Sequence, residues 1–332
     1  MNPVRWGIVS TAHINRLVIP AAHTSPKVDL VAVASRDRAR AEEYARTWEI
    51  PRAFGSYEAM LEDPEIEAVY ISLPNTLHCE WSIRAVEAGK HVLCEKPMAR
   101  RVAEVEAAFD AAERAGRLLS EAFMYRHNPQ TKRLAQLVQE GAIGELRLVR
   151  SVFSYSLYDE SNIRLQADVE GGALTDVGCY DVNGTRLFAG EPEKAFGEAW
   201  YGPTGTDWTF AGTFRFPGGV IGLFHCGTAL VEQDELELIG SEGSLFVDDP
   251  WHCLAPGIEL RRDGAVERID VDRVDSYRLE LENVSDAIRG DSELLLGRAD
   301  AVGQARALEA LHESATSGMP VPIEPAPGRP GG

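Results

Sequence analysis

The sequence has few cysteines, a shortage of basic residues and no long hydrophobic run. Its five cysteines, at positions 79, 94, 179, 226 and 253, are widely spread and include no Cys-x-x-Cys pair. An odd, irregularly spaced set is typical of reduced thiols in the cytoplasm, where we expect the protein to be found. The eight histidines show no zinc-ligand spacing, so no metal site is predicted.

Acidic residues outnumber basic ones by 52 to 33, which gives a formal net charge of −19. Such a surface argues against nucleic acid and anionic membranes as main partners, and an anionic ligand needs a locally basic pocket. No apolar run is long enough to span a bilayer, and the N-terminus lacks a signal-peptide core. What the sequence does have is 332 residues, 44% of them hydrophobic, which is typical of a globular protein with two domains.

Strand and helix patterns alternate along the first third of the chain. Nearly continuous apolar runs such as 28–35 are typical of parallel strands covered on both faces. Because a strand follows each helix, the pattern predicts a doubly wound parallel (Rossmann) sheet, an α/β domain over residues 1–123.

The pattern changes after Phe123 to strand-like segments that follow one another through turns such as Pro217-Gly218-Gly219. They predict an α+β domain with a mostly antiparallel open sheet over residues 124–323, with helices at 176–189, 277–289 and 299–317. A Pro/Gly-rich flexible tail is expected at 324–332. We expect the ligand site where the two halves meet.

The sequence Glu95-Lys96-Pro97 follows the apolar strand predicted at 91–94. In open α/β sheets ligands bind at the carboxyl ends of the strands, so this charged pair is a candidate for function. Pro97 restricts Lys96 to extended geometry, and the bond between them could be cis. The alternative is an ordinary strand end with a surface lysine.

The turn after the first strand lacks all three glycines of the dinucleotide fingerprint G-x-G-x-x-G. Ser10, Ala12 and Asn15 stand at these positions, so the motif fails if it is read strictly. Ser10 and Ala12 are still small enough for a diphosphate to approach the backbone. The residues that would bind the diphosphate lie in the turn and at the start of the next helix. They are Ser10, Thr11, Ala12, His13 and Ile14. An ordinary βα turn is the alternative.

The second predicted strand ends in Ser35-Arg36-Asp37, with Arg40 close behind. Dehydrogenases that take NAD usually place an acid here for the ribose 2′-hydroxyl. Ser35 can instead donate to a phosphate, and Arg36 can pair with one. NADP is therefore the predicted cofactor, while Asp37 leaves NAD possible.

Asp176, Tyr180 and Asn183 follow a glycine pair and occupy positions i, i+4 and i+7 of a predicted helix. These positions share one face, which indicates a polar cleft wall or, alternatively, an ordinary solvated face. Tyrosine is a poor acid–base catalyst near neutral pH because its reference pKa is about 10. A nearby ammonium lowers that pKa, and Lys96 could supply it if the two stretches meet.

Four motifs, in this order, resemble the Gfo/Idh/MocA family of nicotinamide-dependent oxidoreductases. They are Trp6-Gly7-Ile8-Val9-Ser10-Thr11-Ala12, Leu73-Pro74-Asn75-x-x-His78, Glu95-Lys96-Pro97 and Gly171-Gly172-Ala173-Leu174-x-Asp176-x-Gly178-x-Tyr180. The runs Phe123-Met124-Tyr125-Arg126 and Asn162-Ile163-Arg164 are similar to the branch of NADP-dependent xylose dehydrogenases and dihydrodiol dehydrogenases.

The resemblance implies proton transfer by Lys96 and Tyr180, with Asp176 nearby. It also implies cofactor contacts from Leu73, Pro74, Asn75, His78 and Glu95, and substrate contacts from Tyr125, Arg126, Asn162, Arg164 and Asn183. Many inositol-type members carry His and Asp where this chain has Tyr180 and Asn183, which argues against an inositol dehydrogenase.

The resulting prediction is an NADP(H)-dependent oxidoreductase of a sugar or polyol, assembled as a homodimer or homotetramer through the antiparallel sheet. Two alternatives stay open. One is a ketoreductase of a nucleotide-linked deoxysugar, which a second nucleotide pocket near Arg164 and Arg186 would favour. The other is a non-catalytic NADP- or sugar-sensing protein on the same fold.

Overall fold

The computed structural model describes residues 2–324, which form two compact units. The first unit comprises the chain up to His127 together with Asp275–Val302, and the second comprises Asn128–Val274 and the chain from Gly303 onward. From the sequence, residues 275–302 were predicted to lie in the second domain. The structure returns this segment to the first unit because Leu281 and Val284 are buried in that unit's core. Apart from Glu324, the predicted tail lies outside the described residues.

The first unit is built on six parallel strands. They are β1 (Val4–Val9), β2 (Val28–Ala34), β3 (Arg52–Phe54), β4 (Ala68–Ile71), β5 (His91–Glu95) and β6 (Leu119–Ala122). Their order is β3-β2-β1-β4-β5-β6, so the chain reverses its direction of winding between β1 and β4. The predicted doubly wound α/β sheet is confirmed, and its switch point is where such sheets bind ligands.

Helices connect these strands: α1 (Asn15–Thr24), α2 (Arg38–Thr47), α3 (Tyr57–Leu61), α4 (His78–Glu87) and α5 (Val102–Ala115). Their ends follow local chemistry. The side chain of Ser56 caps α3 by accepting the Ala59 N–H at 3.2 Å. Gly116, with a φ of 62°, ends α5 in the left-handed conformation that glycine adopts without strain.

The second unit contains a nine-stranded sheet. Its strands are β7 (Leu146–Ser156), β8 (Lys194–Tyr201), β9 (Asp207–Arg215), β10 (Ile221–Gly227), β11 (Ala229–Gly240), β12 (Ser244–Val247), β13 (Ile258–Arg262), β14 (Ala265–Ile269) and β15 (Val321–Pro322). The order is β14-β13-β12-β11-β7-β10-β9-β8-β15, and among these neighbours only β7 and β10 run parallel. The predicted mostly antiparallel sheet is confirmed. The sequence did not predict β13, β14 and β15, because they are short and rich in charge or proline.

The remaining helices are α6 (Pro129–Gln139), α7 (Cys179–Ala189), α8 (Ser276–Arg289) and α9 (Arg298–Ser317). One face of the nine-stranded sheet is apolar, and the rings of Phe210, Phe214 and Phe224 stack on it. The opposite face exposes large side chains, including Trp200 and Ile221. Within residues 2–324, no helix is both long enough and apolar enough to cross a membrane.

Candidate active site

The predicted cofactor residues lie at one edge of the first unit's sheet. Because β1 lies between β2 and β4, and β4 pairs with β5, the carboxyl ends of these four strands are adjacent. The segments 10–14, 35–40 and 73–75 lie at or just beyond those ends, and Glu95 and Lys96 stand at the end of β5. This arrangement is the one that parallel sheets use for dinucleotides.

The turn between β1 and α1 is held by side chains where the fingerprint has glycine. Ser10 has a φ of 125°, which L side chains rarely adopt. Its hydroxyl donates to the Ser72 carbonyl at 3.0 Å and lies 2.8 Å from Ser72 Oγ. Ser72 Oγ donates to Asn15 Oδ1 at 2.7 Å, and Asn15 Nδ2 donates to the Ser10 carbonyl at 3.1 Å. These bonds close a ring, and sequence reasoning missed Ser72 because the fingerprint does not include it.

The backbone N–H groups of this turn divide into two kinds. That of Ala12 donates to Ser10 Oγ at 3.1 Å, so it is engaged inside the turn. Those of Thr11, His13 and Ile14 donate to no acceptor in the described part of the chain. Together with the start of α1, these three can receive an anion.

The acidic residue that follows β2, Asp37, already has a hydrogen-bond partner in the protein. Asp37 caps α2, because its Oδ1 accepts the Arg40 N–H at 3.0 Å. Burial raises the pKa of Tyr57, and the charges of Arg36 and Arg40 oppose that rise, which places both guanidinium groups near its hydroxyl. A cationic pair beside a capped acid suits a phosphate better than a bare ribose hydroxyl. Sequence reasoning did not identify Tyr57, which comes from α3.

Glu95 is fixed beside Lys96 by both carboxylate oxygens. Its Oε1 accepts the Tyr70 hydroxyl, and its Oε2 accepts the Lys96 N–H at 3.2 Å. The bond between Lys96 and Pro97 is cis. A second acid, the buried Glu280 of α8, lies near enough that its pKa is raised by burial and by the Glu95 charge. Sequence reasoning missed Glu280 because it assigned α8 to the other domain.

His78 links the two neighbouring loops. Its Nδ1 and Nε2 lie 2.8 Å from the carbonyl oxygens of Pro97 and Leu73. Burial lowers the pKa of His78, and the two carbonyl oxygens oppose that shift. Its ring is buried and both nitrogens face backbone carbonyls, so His78 holds together the loops that carry Leu73 and Pro97.

In the second unit, the predicted helix at 176–189 begins with a π-helical turn, Leu174–Gly178, before α7. Asp176 lies in the π turn and Tyr180 in the first turn of α7. Asn183 is fully buried, and its Nδ2 lies 3.3 Å from Gln304 Oε1. A π turn therefore separates Asp176 from Asn183, so the i and i+7 spacing of one regular helix does not hold along this segment.

Asp176 is held by two side chains that come from different elements. Its Oδ2 accepts the Tyr155 hydroxyl at 2.5 Å, and its Oδ1 lies 3.2 Å from Arg164 Nε. Burial and the Asp176 charge raise the pKa of Tyr155. Asn162 caps the short 3₁₀ helix that carries Arg164, because its Oδ1 accepts the Arg164 N–H at 3.1 Å. The structure thus brings together three of the predicted residues, Asp176, Asn162 and Arg164. Tyr155 belongs to the same group but was not predicted from the sequence.

Tyr180 is packed by aromatic rings. Its ring centroid lies 5.4 Å from that of Phe153 and 6.0 Å from that of Trp251. Such edge contacts fix the ring plane, and with it the direction of the hydroxyl.

Arg126 and Arg186, two of the arginines considered in the sequence, form ion pairs within the protein. Arg126 forms an ion pair of 3.1 Å with Asp300, and Tyr125 beside it is buried. Arg186 is buried and binds both oxygens of Glu191 at 3.0 and 2.6 Å. These bonds pair the guanidinium of Arg186 with a carboxylate of its own unit.

Asp234, Asp249 and His252 offer three ligand atoms within 4.8 Å of one another, a geometry that a metal ion could use. The bonds present explain the group without one. Asp249 accepts the N–H groups of Cys253 and Ala255 at 2.9 and 2.7 Å, and His252 Nδ1 lies 3.0 Å from Asp234 Oδ2. The group therefore stabilises the loop after β12.

Comparison with known proteins gives matches along most of the chain. Residues 4–123 match the oxidoreductase family described as GFO/IDH/MocA with an NAD-binding Rossmann fold, and residues 131–246 match the GFO/IDH/MocA C-terminal domain. The chain is 37% identical over 325 residues to a D-xylose 1-dehydrogenase (NADP(+)) of Haloferax volcanii, covering 96% of this chain and 99% of that protein. It is 35% identical over 257 residues to a trans-1,2-dihydrobenzene-1,2-diol dehydrogenase of Danio rerio, covering 76% of each.

Among solved structures, the chain is similar to a 3-ketoreductase from Actinomadura kijaniata in complex with NADP and TDP-benzene. The TM-score is 0.88 at 30% identity, with 94% of this chain and 98% of that chain covered. The resemblance drawn from the four sequence motifs, and the branch drawn from the two shorter runs, are confirmed.

Proposed function

The chain belongs to the Gfo/Idh/MocA oxidoreductase family, and from this membership we propose that it transfers a hydride between NADP(H) and a carbinol or carbonyl carbon of a sugar or related polyol. The observation that carries the proposal is Lys96 at the carboxyl edge of the Rossmann sheet, next to a glutamate whose two oxygens are both fixed. A cation held at this edge stands where parallel sheets bind their cofactors.

NADP is proposed over NAD from the end of β2. Asp37 caps α2, while Arg36 and Arg40 both lie near the Tyr57 hydroxyl. Ser35, Arg36 and Arg40 would hold the 2′-phosphate, and the N–H groups of Thr11, His13 and Ile14 would hold the diphosphate. The Haloferax volcanii dehydrogenase and the Actinomadura kijaniata ketoreductase, both named with NADP, support this choice.

The proton of the reacting hydroxyl would move through Tyr180, assisted by Lys96. Asp176, fixed by Tyr155 and Arg164, would orient the substrate. Arg164 and Asn162 would contact further hydroxyl groups, and so would Tyr125 and Arg126. Several donors and acceptors aimed at hydroxyl groups are how such a site distinguishes one polyol from another.

A ketoreductase of a nucleotide-linked deoxysugar is the second candidate, favoured by the likeness to the Actinomadura kijaniata structure. The ion pair between the buried Arg186 and the exposed Glu191 weighs against it, because it engages one of the two arginines near which a second nucleotide pocket was considered. A non-catalytic sensor on the same fold is less well supported, because Lys96 and Tyr180 are both present.

We also propose that the protein assembles as a homodimer or homotetramer through the open face of the nine-stranded sheet. That face exposes Trp200 and Ile221, large apolar side chains that another copy would cover.

The test is a turnover screen of the purified protein with NADP⁺ and NAD⁺ against a panel of aldoses and polyols. We expect NADP⁺-dependent turnover of at least one aldose or polyol. Lys96→Met and Tyr180→Phe should each remove most of this activity, because they remove the ammonium and the proton carrier. Lys132→Met, on the exposed side of α6, is the control and should keep the wild-type rate. Near-wild-type turnover by Lys96→Met would contradict the proposal.

A further inference from the structure

The ring of hydrogen bonds at the β1–α1 turn joins residues from three parts of the chain. The glycines of the dinucleotide fingerprint make no such side-chain connection. Ser10 follows β1, Asn15 opens α1, and Ser72 follows β4. All three side chains are buried, so water competes little for their bonds. Ser72 is the link between the other two side chains, because its hydroxyl lies within hydrogen-bond distance of both Ser10 Oγ and Asn15 Oδ1.

The turn needs such a link because of its backbone. The first glycine of a dinucleotide fingerprint allows the tight turn that follows the strand. Here Ser10 makes that turn with a φ of 125°, a conformation that glycine adopts freely and serine does not. The strained conformation persists only where surrounding bonds determine it, and the four bonds of the ring involve both the side chain and the carbonyl of Ser10.

We propose that Ser72 is a positioning residue for the cofactor diphosphate: with Ser10 and Asn15 it holds the turn in the conformation that glycine supplies elsewhere. This inference rests on the proposed binding of NADP(H). The ring holds the turn so that the N–H groups of Thr11, His13 and Ile14 remain directed away from protein acceptors. Without the ring, Ser10 relaxes toward negative φ and these groups lose their common direction.

A double-mutant cycle tests the proposal, with the dissociation constant of NADPH read from its fluorescence. Ser72→Ala in the otherwise unchanged protein should weaken NADPH binding about tenfold, the equivalent of one hydrogen bond. In the Ser10→Gly background the same substitution should change the constant less than about twofold, because glycine holds the turn without the ring. Ser82→Ala, another buried serine of this unit, is the control and should leave the constant unchanged.

The possible outcomes distinguish a failure of the role proposed for Ser72 from a failure of the proposed NADP(H) binding. An equal loss in both backgrounds would show that Ser72 acts through general packing, and no loss in either would show that the ring is dispensable; each overturns the proposal. With saturating NADPH, the turnover number of Ser72→Ala should equal that of the wild type while its KM for NADPH rises. If the unsubstituted protein binds no NADPH, the proposed cofactor itself is wrong, and the inference falls with it.

Discussion

The orientation of single residues in the candidate site depends on which protein groups form hydrogen bonds with their side chains. Asp37, Glu95 and Asp176 are all acids near proposed ligand positions, yet each has a different protein partner. Asp37 is bound to a helix start, Glu95 to a tyrosine and its own neighbour, and Asp176 to a tyrosine and an arginine. An acid that already accepts such bonds is held in one orientation, and this restricts what it can offer to a ligand.

Arg36→Ala tests the cofactor preference. If Arg36 binds the 2′-phosphate, its loss should weaken NADP binding about 10- to 100-fold and NAD binding little, since a charge-assisted hydrogen bond contributes about 1.5–3 kcal/mol. Calorimetry of both cofactors measures the difference. Arg38→Ala is the matched control, because Arg38 pairs with Glu42 on the surface of α2 at 2.6 Å. Equal losses for NADP and NAD in Arg36→Ala would leave the preference without support.

Asp181 allows a prediction about pH. It is fully buried, and neither carboxylate oxygen has a hydrogen-bond partner within residues 2–324. Burial raises the pKa of Asp181 well above its usual range, and the Asp234 charge adds to the rise. An acid whose pKa is higher in the folded protein binds more protons there than in the unfolded chain. Stability is therefore lost as the pH rises above the unfolded pKa, near 3.8.

Asp181→Asn removes this loss, because the amide does not ionise. The variant should unfold with a free energy about 1–3 kcal/mol higher at pH 7, and the gain should shrink toward pH 4. Urea unfolding across this pH range measures it. Asp168→Asn, at an exposed position, should show no such trend. A loss of stability in Asp181→Asn that is constant with pH would mean that the native carboxylate is charged and compensated.

At the scale of elements, the π turn before α7 depends on a close approach of the backbone at Gly172 to the side chain of Asp207. Gly172 has a φ of 132°, and its carbonyl accepts the Asp176 N–H at 2.9 Å. A Cβ at Gly172 would meet Oδ1 of Asp207, whose other oxygen accepts the Leu174 N–H at 2.7 Å. Glycine is required here by backbone angle and by space together.

Gly172→Ala should therefore destabilise the protein by more than about 3 kcal/mol, since about 1–3 kcal/mol of backbone strain adds to a similar packing penalty. Turnover should fall as well, because the Asp176 turn begins at this residue. Gly190→Ala is the matched control. Its φ of 85° also disfavours alanine, but nothing lies within 4 Å of the added carbon, so a cost of about 1 kcal/mol is expected. Equal unfolding midpoints for the two variants would contradict the space argument.

At the scale of the whole molecule, a net charge of −19 keeps copies apart unless a surface compensates by burying apolar area. The open face of the nine-stranded sheet is the surface proposed to do so. Ile221→Glu, at a position 48% exposed on β10, should shift the mass measured by light scattering toward the monomer. Val266→Glu, 63% exposed on β14 at the end of the sheet, should leave the mass unchanged. A monomeric wild-type protein would exclude the proposed assembly.

The sequence by itself determined the two kinds of sheet, and it supplied the residues from which the candidate site is proposed. Apolar runs alternating with helical spacing produce parallel strands, and turn-separated strands produce antiparallel ones, because both patterns are local. The motif around Glu95-Lys96-Pro97 was readable for the same reason. The departure from the glycine fingerprint at Ser10 and Asn15 was also visible in the sequence. The sequence did not show which hydrogen bonds these two side chains form.

Only the tertiary structure decided how such departures are compensated. Ser72 is 62 residues from Ser10, and Tyr155 is 21 residues from Asp176, so neither pair shares a local pattern. The sequence also did not show that α8 belongs to the first unit or that Asn183 is buried. A helical period shows which face of a helix is polar but not which other element packs on it. Contacts between residues distant in sequence follow from how the sheets and helices pack, and this packing determined which polar residues are held by the protein.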